Sequence, residues 1–431
     1  MTPVVAVVPF RLLLLVLTAV CFFGAFLFSY WGALLFDHEM RAAVYDRSCV
    51  EGIKVVTNRP LPSPSQTALL VRVKACAVNP VDAKGVIGDK LPPVFAKFAR
   101  RMIDGQGVGF DLSGVVEHAP LNSGFQVGDE VFGAVPPFRG ALAELVSVPL
   151  DQICLKPTTL THAQAAALVL PGVTCAQLLR QFRFREGERV LVIGASGGVG
   201  HLLVQMLRWR NAGQVVGVCS AKNASFVKRL GADHVVAYDA PSGSNADVVV
   251  DALRAVVVAN KKPFDLVIDC VTSHDTRDAG NQYESRVRSA EKAGVAKETA
   301  DGSGVGIHNG TESSSIHEKH RTTTPGGVYV TIGGSFSRWV IAGLKRVFGV
   351  NLFPTKSELF WIKFSGCAKD LTMLATMAEF EQRAGDGVGV ETVAAVTPTI
   401  AATHALTNAG VRDAFKQMHE RRVVGKIVVT P

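Results

Sequence analysis

The sequence predicts an α/β protein with a parallel, doubly wound sheet and a second, smaller domain of short strands. Three observations predict it. Arg189-Val-Leu-Val-Ile-Gly-Ala-Ser-Gly-Gly-Val-Gly-His201 reads as a buried strand, a glycine-rich turn and the start of an apolar helix. From Val190 to Ile332 strand patterns alternate with helical ones, as parallel sheets require. From Leu69 to Val148 short strands are punctuated by glycine turns, which fits a small barrel-like β domain.

The elements follow in chain order. Leu12 to Phe36 is uncharged and mainly apolar, at roughly 25 residues long enough to cross a bilayer. Tyr30 and Trp31 lie toward one end, as interfacial aromatics do. A cleaved signal has a shorter apolar core and a small-residue cleavage site, so a membrane anchor over residues 1–40 is the preferred reading. Residues 37–50 read as a linker. Strands are predicted at Leu69–Val78, Val108–Val116, Glu130–Gly133 and Ala141–Val148, and helical spacing at Thr161–Phe182. The parallel-sheet strands are predicted at 190–193, 215–219, 234–237, 265–270 and 327–332. Between them, 275–325 is polar, poor in apolar residues and reads as a disordered surface insertion. Phe360–Phe364 reads as a last strand, Ala368–Phe380 as a helix, and Gly410–Pro431 as a helix followed by a strand returning to the first domain. The domain boundaries that follow are 41–157, 158–365 and 366–431.

The turn Gly194-Ala-Ser-Gly-Gly-Val-Gly200 departs from Gly-x-Gly-x-x-Gly at Ala195. Backbone N–H groups over Ala195, Ser196, Gly197, Gly198 and Val199, at a helix N-terminus, suit a pyrophosphate. The next strand ends ~20 residues later, where an NAD enzyme places Asp or Glu on the ribose. Here Ser220, Ala221, Lys222 and Asn223 stand instead. A hydroxyl and a cation suit a 2′-phosphate, so Ser220 and Lys222 favour NADPH over NADH.

Net charge is +8 and mean hydropathy +0.25 over 431 residues. The basic residues form no dense block and no nucleic-acid motif, so DNA or RNA binding is not indicated. No two of the eight cysteines are spaced as C-x-x-C, and they read as free thiols in a reducing compartment. That chemistry favours a cytosol-facing body; the organelle stays open. His308, His317 and His320 are scattered in a polar tract and do not make a metal site.

Together these pieces resemble the medium-chain dehydrogenase/reductase superfamily, most of all its zinc-independent quinone-oxidoreductase branch. The resemblance is carried by Val73–Lys84, Gly109–Gly114, Val127–Gly133, the glycine turn, Leu230–Tyr238 and Arg422–Val428. Leu344–Phe380 is also similar to the reticulon-4-interacting-protein group within that branch. The resemblance implies a GroES-like catalytic domain split around a Rossmann domain, with the cofactor between them. Asn79 and Phe110 stand where zinc members carry a cysteine and a histidine ligand, so no catalytic zinc is expected. It also implies that Asn79 lies beside the nicotinamide, bonding its ribose or the substrate carbonyl. Lys84 would donate to an acceptor oxygen, Thr174 would lie near the nicotinamide, and Tyr238 would contact the adenosine phosphate.

The reading is a membrane-anchored, NADPH-dependent, zinc-independent reductase of quinones or α,β-unsaturated carbonyls. Membrane lipid is an expected partner and a homodimer through the Rossmann edge strand a possible assembly. The alternatives are an NADPH-binding membrane scaffold or sensor with little catalysis, or a lipid enoyl reductase.

Overall fold

A computed structural model describes residues 39–46, 52–84, 101–240, 247–260, 262–271, 282–300, 327–332, 357–360, 362–363, 365–380, 382–384, 391–420 and 422–431. The apolar segment Leu12–Phe36 lies outside the described residues, as do His308, His317 and His320. Residues 37–50, expected to be a linker, contain strand β1 (Glu39–Tyr45), which pairs antiparallel with β2 (Ile53–Pro60). Ala42, Ala43, Val44 and Tyr45 are buried, so this edge is packed rather than spanning.

The first domain is built on β3 (Ala68–Val78), a short helix α1 (Pro80–Lys84), β4 (Asp111–His118), β5 (Glu130–Ala134), β6 (Leu145–Pro149) and β7 (Ile153–Leu155). Alternating burial along β3 gives one face to a core with Val71, Leu112, Val131 and Val148. Helix α2 (His162–Gln181) then leads out of the domain. Thr161 starts it with a capping box, its side chain accepting from the Gln164 N–H while Gln164 accepts from the Thr161 N–H. Among the described residues α2 is the one helix long and apolar enough to cross a membrane. It is instead the shared core helix, with Leu168, Val173, Leu178 and Leu179 packed between the two domains.

The second domain has β8 (Arg189–Ile193), α3 (Gly200–Trp209), β9 (Gln214–Cys219), α4 (Ala224–Arg229), β10 (His234–Ala237), α5 (Val248–Asn260), β11 (Leu266–Asp269), α6 (Gln282–Ala300), β12 (Val328–Ile332) and β13 (Ser357–Phe360). Its six strands lie in the order β10-β9-β8-β11-β12-β13, all parallel. In the order of their succession that is 3-2-1-4-5-6, the doubly wound dinucleotide-binding topology. The strand order reverses between β8 and β11, and the crevice at their C-terminal ends is where such sheets hold ligands.

Helix α6 corrects the expectation of disorder throughout 275–325. Val287 and Ala290 are buried with Leu253, Val257 and Phe264, and Tyr283 packs beside them. Residues at i, i+4 and i+7 make a narrow apolar stripe, which a low overall apolar content conceals. Glu291 anchors the stripe by accepting from the Phe264 N–H at 3.3 Å. Residues 301–326 lie outside the described residues.

Helix α7 (Ala368–Glu379) packs Leu371 and Leu374 on α2. Gly172 permits this contact, since a Cβ there would lie 2.8 Å from Leu374 Cδ1. After β14 (Gln382–Ala384) and β15 (Glu391–Val393), the chain forms β16 (Ile400–Ala405), α8 (Asn408–His419) and β17 (Lys426–Thr430). Strand β17 pairs parallel with β16 and antiparallel with β3. The C-terminus thereby completes the seven-stranded sheet of the first domain and brings Gly425 and Lys426 against the glycine turn.

Candidate active site

The glycine turn leaves β8 at Gly194, whose φ of +79° is a backbone conformation glycine adopts without strain. The Gly194 and Ala195 N–H groups both donate to Val218 O on β9, at 2.9 Å. Ala195 is fully buried, and Gly217 opposite it is the residue that makes room. Ala195 therefore braces the turn, and its N–H is not available to a ligand, which corrects its expected contact role. A Cβ on Gly200 would lie 2.2 Å from Gly194 O, so glycine is required for α3 to start so close to β8. The N–H groups of Gly198 and Val199 make no hydrogen bond to any described residue. Two free donors at the head of an apolar helix are what an anionic group needs, and a dinucleotide pyrophosphate fits them.

At the end of β9, Ser220 is buried and Lys222 is exposed. Asn223 Nδ2 reaches Ser196 Oγ at 3.2 Å, tying this loop to the glycine turn. Tyr238 follows β10 and is 51% exposed, its N–H donating to Cys219 O. Ser196, Ser220, Lys222 and Tyr238 thus line one rim. Asp239 joins the same rim, accepting from the Ala221 N–H at 2.6 Å. The sequence reading found no carboxylate between 220 and 223; the fold supplies one from the next strand.

The opposite wall is a buried polar seam. Asn79 Nδ2 donates to Asp111 Oδ2 at 2.8 Å and to Ala77 O at 3.2 Å. Lys426 Nζ donates to Asn79 Oδ1 and, at 2.7 Å, to Val78 O. Asp82, on α1, accepts from the Asn79 N–H at 2.6 Å. Burial pushes the Asp82 carboxyl up to about 8, with the charge of Asp111 adding to it and the Asn79 N–H opposing. Burial likewise pushes Asp111 up to about 7, against the pull of Lys426 and the Asn79 amide. Desolvation lowers the Lys426 ammonium, and the two carboxylates resist that. Behind the turn, burial lowers His201 to about 4. The neutral ring spans Gly197 O at Nδ1 and the Thr399 N–H at Nε2.

The other expected residues fall as follows. Thr174 is buried on α2 and its hydroxyl donates to Leu170 O at 2.8 Å, one turn back. Lys84 ends α1, and its side chain lies outside what is described. Lys426, Asp82, Asp111 and His201 had no assigned role in the sequence. The available signal was charge inside apolar strand patterns, as in Gly425-Lys-Ile-Val-Val429 and Phe110-Asp-Leu112.

One other constellation mimics a nucleophile triad. Ser113 Oγ lies 2.8 Å from His162 Nδ1, and His162 Nε2 lies 3.2 Å from Glu130. Ser113 is fully buried and its hydroxyl proton is directed at Val131 O, so it presents no nucleophile.

A split strand domain around a doubly wound sheet, with a glycine turn at the reversal, is an architecture on which dinucleotides are commonly held. Family models agree: residues 65–158 match the alcohol dehydrogenase GroES-like domain and residues 198–286 the zinc-binding dehydrogenase domain. Together the two matched domains are those found side by side in medium-chain dehydrogenases/reductases, which the chain resembles over these residues. It is 35% identical over 217 residues to the human mitochondrial NAD(P)H oxidoreductase RTN4IP1, covering 47% of this chain and 52% of that protein. It is 32% identical over 237 residues to a chloroplastic NADPH-dependent alkenal/one oxidoreductase of Arabidopsis thaliana, covering 50% and 58%. The chain spans about half the length of the curated relatives it matches. The solved quinone oxidoreductase of Coxiella burnetii shares the fold, with TM-score 0.59 and 21% identity over 91% of this chain and 100% of that one.

Proposed function

We propose that the chain is an NADPH-dependent, zinc-independent reductase that delivers hydride to a quinone or an α,β-unsaturated carbonyl. The carrying observation is the glycine turn at the strand-order reversal, with the Gly198 and Val199 N–H groups unpaired among the described residues and β17 of the other domain beside it. The names of the relatives support nicotinamide-dependent reduction of such acceptors.

When bound, the nicotinamide supplies a hydride at C4. The protein's task is to bind and orient. The turn and the α3 N-terminus hold the pyrophosphate, and Ser196 and Asn223 join the turn to the β9 rim. Lys222 offers the cation for a 2′-phosphate, while Asp239 tempers that preference by its nearby negative charge. By the resemblance, Asn79 and Thr174 would lie beside the nicotinamide ring. The proton for the reduced acceptor is supplied by water or a side chain.

The donor set supports zinc independence. The position between Asp82 and Asp111 is taken by the Lys426 ammonium and the Asn79 amide, neither of which suits zinc. Among the described residues no group of three or more His, Cys, Asp or Glu is arranged to hold a metal ion. The apolar segment Leu12–Phe36 supports a body tethered to membrane lipid, close to lipid-borne quinones and enals. Strand β13, at the sheet edge, is the place where a homodimer would form. The mitochondrial and chloroplastic relatives favour an organellar setting.

The test is steady-state reduction of a short-chain benzoquinone and of a 2-alkenal by the full chain, with NADPH or NADH, before and after dialysis against a chelator. NADPH-preferring turnover that survives chelation supports the proposal. Turnover lost with the metal and restored by zinc contradicts zinc independence, and no turnover with either acceptor contradicts the substrate class.

A further inference from the structure

We propose that Lys426 is a positioning residue for hydride transfer: it clamps the glycine turn to Asn79 and makes Asn79 an acceptor, not a donor, toward the bound ligand. This rests on the nicotinamide reading above and extends it to the orientation of one amide.

Lys426 touches both domains at once. The Gly425 N–H donates to Ser196 O at 3.0 Å, so the chain enters β17 bonded to the turn. The lysine stem then crosses Gly198, where a Cβ would sit 3.1 Å from Lys426 Cδ. Its ammonium ends on Val78 O and Asn79 Oδ1. Lys426 is 4% exposed, Asn79 2%, and Asp82 and Asp111 are fully buried. Burying an ammonium beside two carboxylates adds little stability over apolar packing, and such clusters are best understood as fixing one arrangement.

The arrangement fixed is the Asn79 amide. Both Nδ2 hydrogens are engaged, one by Asp111 and one by Ala77 O. A flip would turn an N–H toward the ammonium and an oxygen toward a carboxylate. What Asn79 retains for a ligand is one lone pair on Oδ1. It can therefore accept from a ribose hydroxyl or a carboxamide N–H, and it cannot donate to a substrate carbonyl. Of the two roles that the sequence left open, the geometry selects the cofactor one.

The titratable groups facing Lys426 are the carboxyls of Asp111 on β4 and Asp82 on α1, the Cys76 thiol on β3 and the neutral His201 ring on α3. The carboxylates titrate near neutrality, so the tension on Lys426 changes there, and removing the cation moves their titration to higher pH.

Lys426→Met keeps the stem against Gly198 and deletes the ammonium. NADPH affinity by nicotinamide fluorescence is expected to fall only a few-fold, since the turn keeps its free N–H groups and loses at most one bond from Asn79. The kcat for a 2-alkenal should fall about tenfold or more, a loss the size of one misplaced hydrogen bond. The pH profile of kcat should shift its inflection upward. Asp111→Asn, which preserves shape and the lysine, should remove the inflection assigned to Asp111 and serves if the methionine variant does not fold. Equal losses in affinity and kcat with an unmoved pH profile would overturn the proposal, as would unchanged kcat in Lys426→Met. Retention in Asp111→Asn of the lower inflection, near pH 7, would also overturn it. Failure of the wild-type chain to bind any nicotinamide nucleotide would instead overturn the site reading on which this rests.

Discussion

The two walls of the crevice are built on opposite principles. The β9–β10 rim, with Ser220, Lys222, Tyr238 and Asp239, is formed by residues close in sequence and largely open to solvent. The seam of Asn79, Asp82, Asp111 and Lys426 is buried and joins residues up to 347 positions apart. A rim of this kind can discriminate between ligands, since Lys222 and Tyr238 stand exposed on it, with Ser220 buried beneath. A seam of this kind discriminates between arrangements of the protein, since its donors are spent internally on Asp111, Ala77 O, Asn79 Oδ1 and Val78 O. The difference teaches that residues nearest to the chemistry in a motif need not be those free to perform it.

The seam should be the costlier to disturb. Lys426→Met leaves two carboxylates without their buried cation, and urea unfolding at pH 8 should show a loss of about 3 kcal/mol. At pH 6 the loss should shrink, because Asp82 and Asp111 then hold protons. An equal loss at both pH values would mean that the lysine acts by packing alone.

His201 provides a second, pH-resolved test. Its folded value of about 4 lies below the ordinary 6.5, so the folded state prefers the neutral ring. That contribution is complete above pH 6.5 and is lost as pH falls toward 4, by about 3 kcal/mol. In His201→Gln this part of the acid sensitivity should disappear, leaving a flatter stability profile over the same window. An unchanged slope would place the acid sensitivity elsewhere.

Between seam and rim lies the turn itself. Gly200→Ala places a Cβ 2.2 Å from Gly194 O and must push α3 away from β8. A cost of about 2 kcal/mol in stability is expected, with weakened nucleotide binding, in thermal unfolding and fluorescence titration respectively.

The rim should show the smallest effect and the most selective one. Lys222→Ala should weaken NADPH binding by about 1.5 kcal/mol, or roughly tenfold, and leave NADH binding alone. Equal weakening of both nucleotides would remove Lys222 from phosphate recognition.

The sequence made the rim and the turn legible because they are local: strand, glycine turn, helix and second strand fall within one continuous stretch. The alternation also revealed the doubly wound sheet, and strands 189–193, 214–219 and 234–237 lie where the pattern put them. The seam was not legible, since nothing local marks Lys426 as facing Asn79. A lysine opening an apolar strand pattern was the sole trace. Helix α6 escaped for a different reason: its stripe of Tyr283, Val287 and Ala290 is narrow and set in a polar tract. Asp239 was missed because it lies two residues past the following strand, and only the parallel pairing of β9 with β10 brings it to Ala221.

Titration of the full chain with NADPH and NADH, following nicotinamide fluorescence, tests the nucleotide site most directly. Saturable binding, tighter for NADPH and abolished in Gly200→Val, is the predicted result. Absence of saturable binding to either nucleotide, or undiminished binding in Gly200→Val, would contradict it.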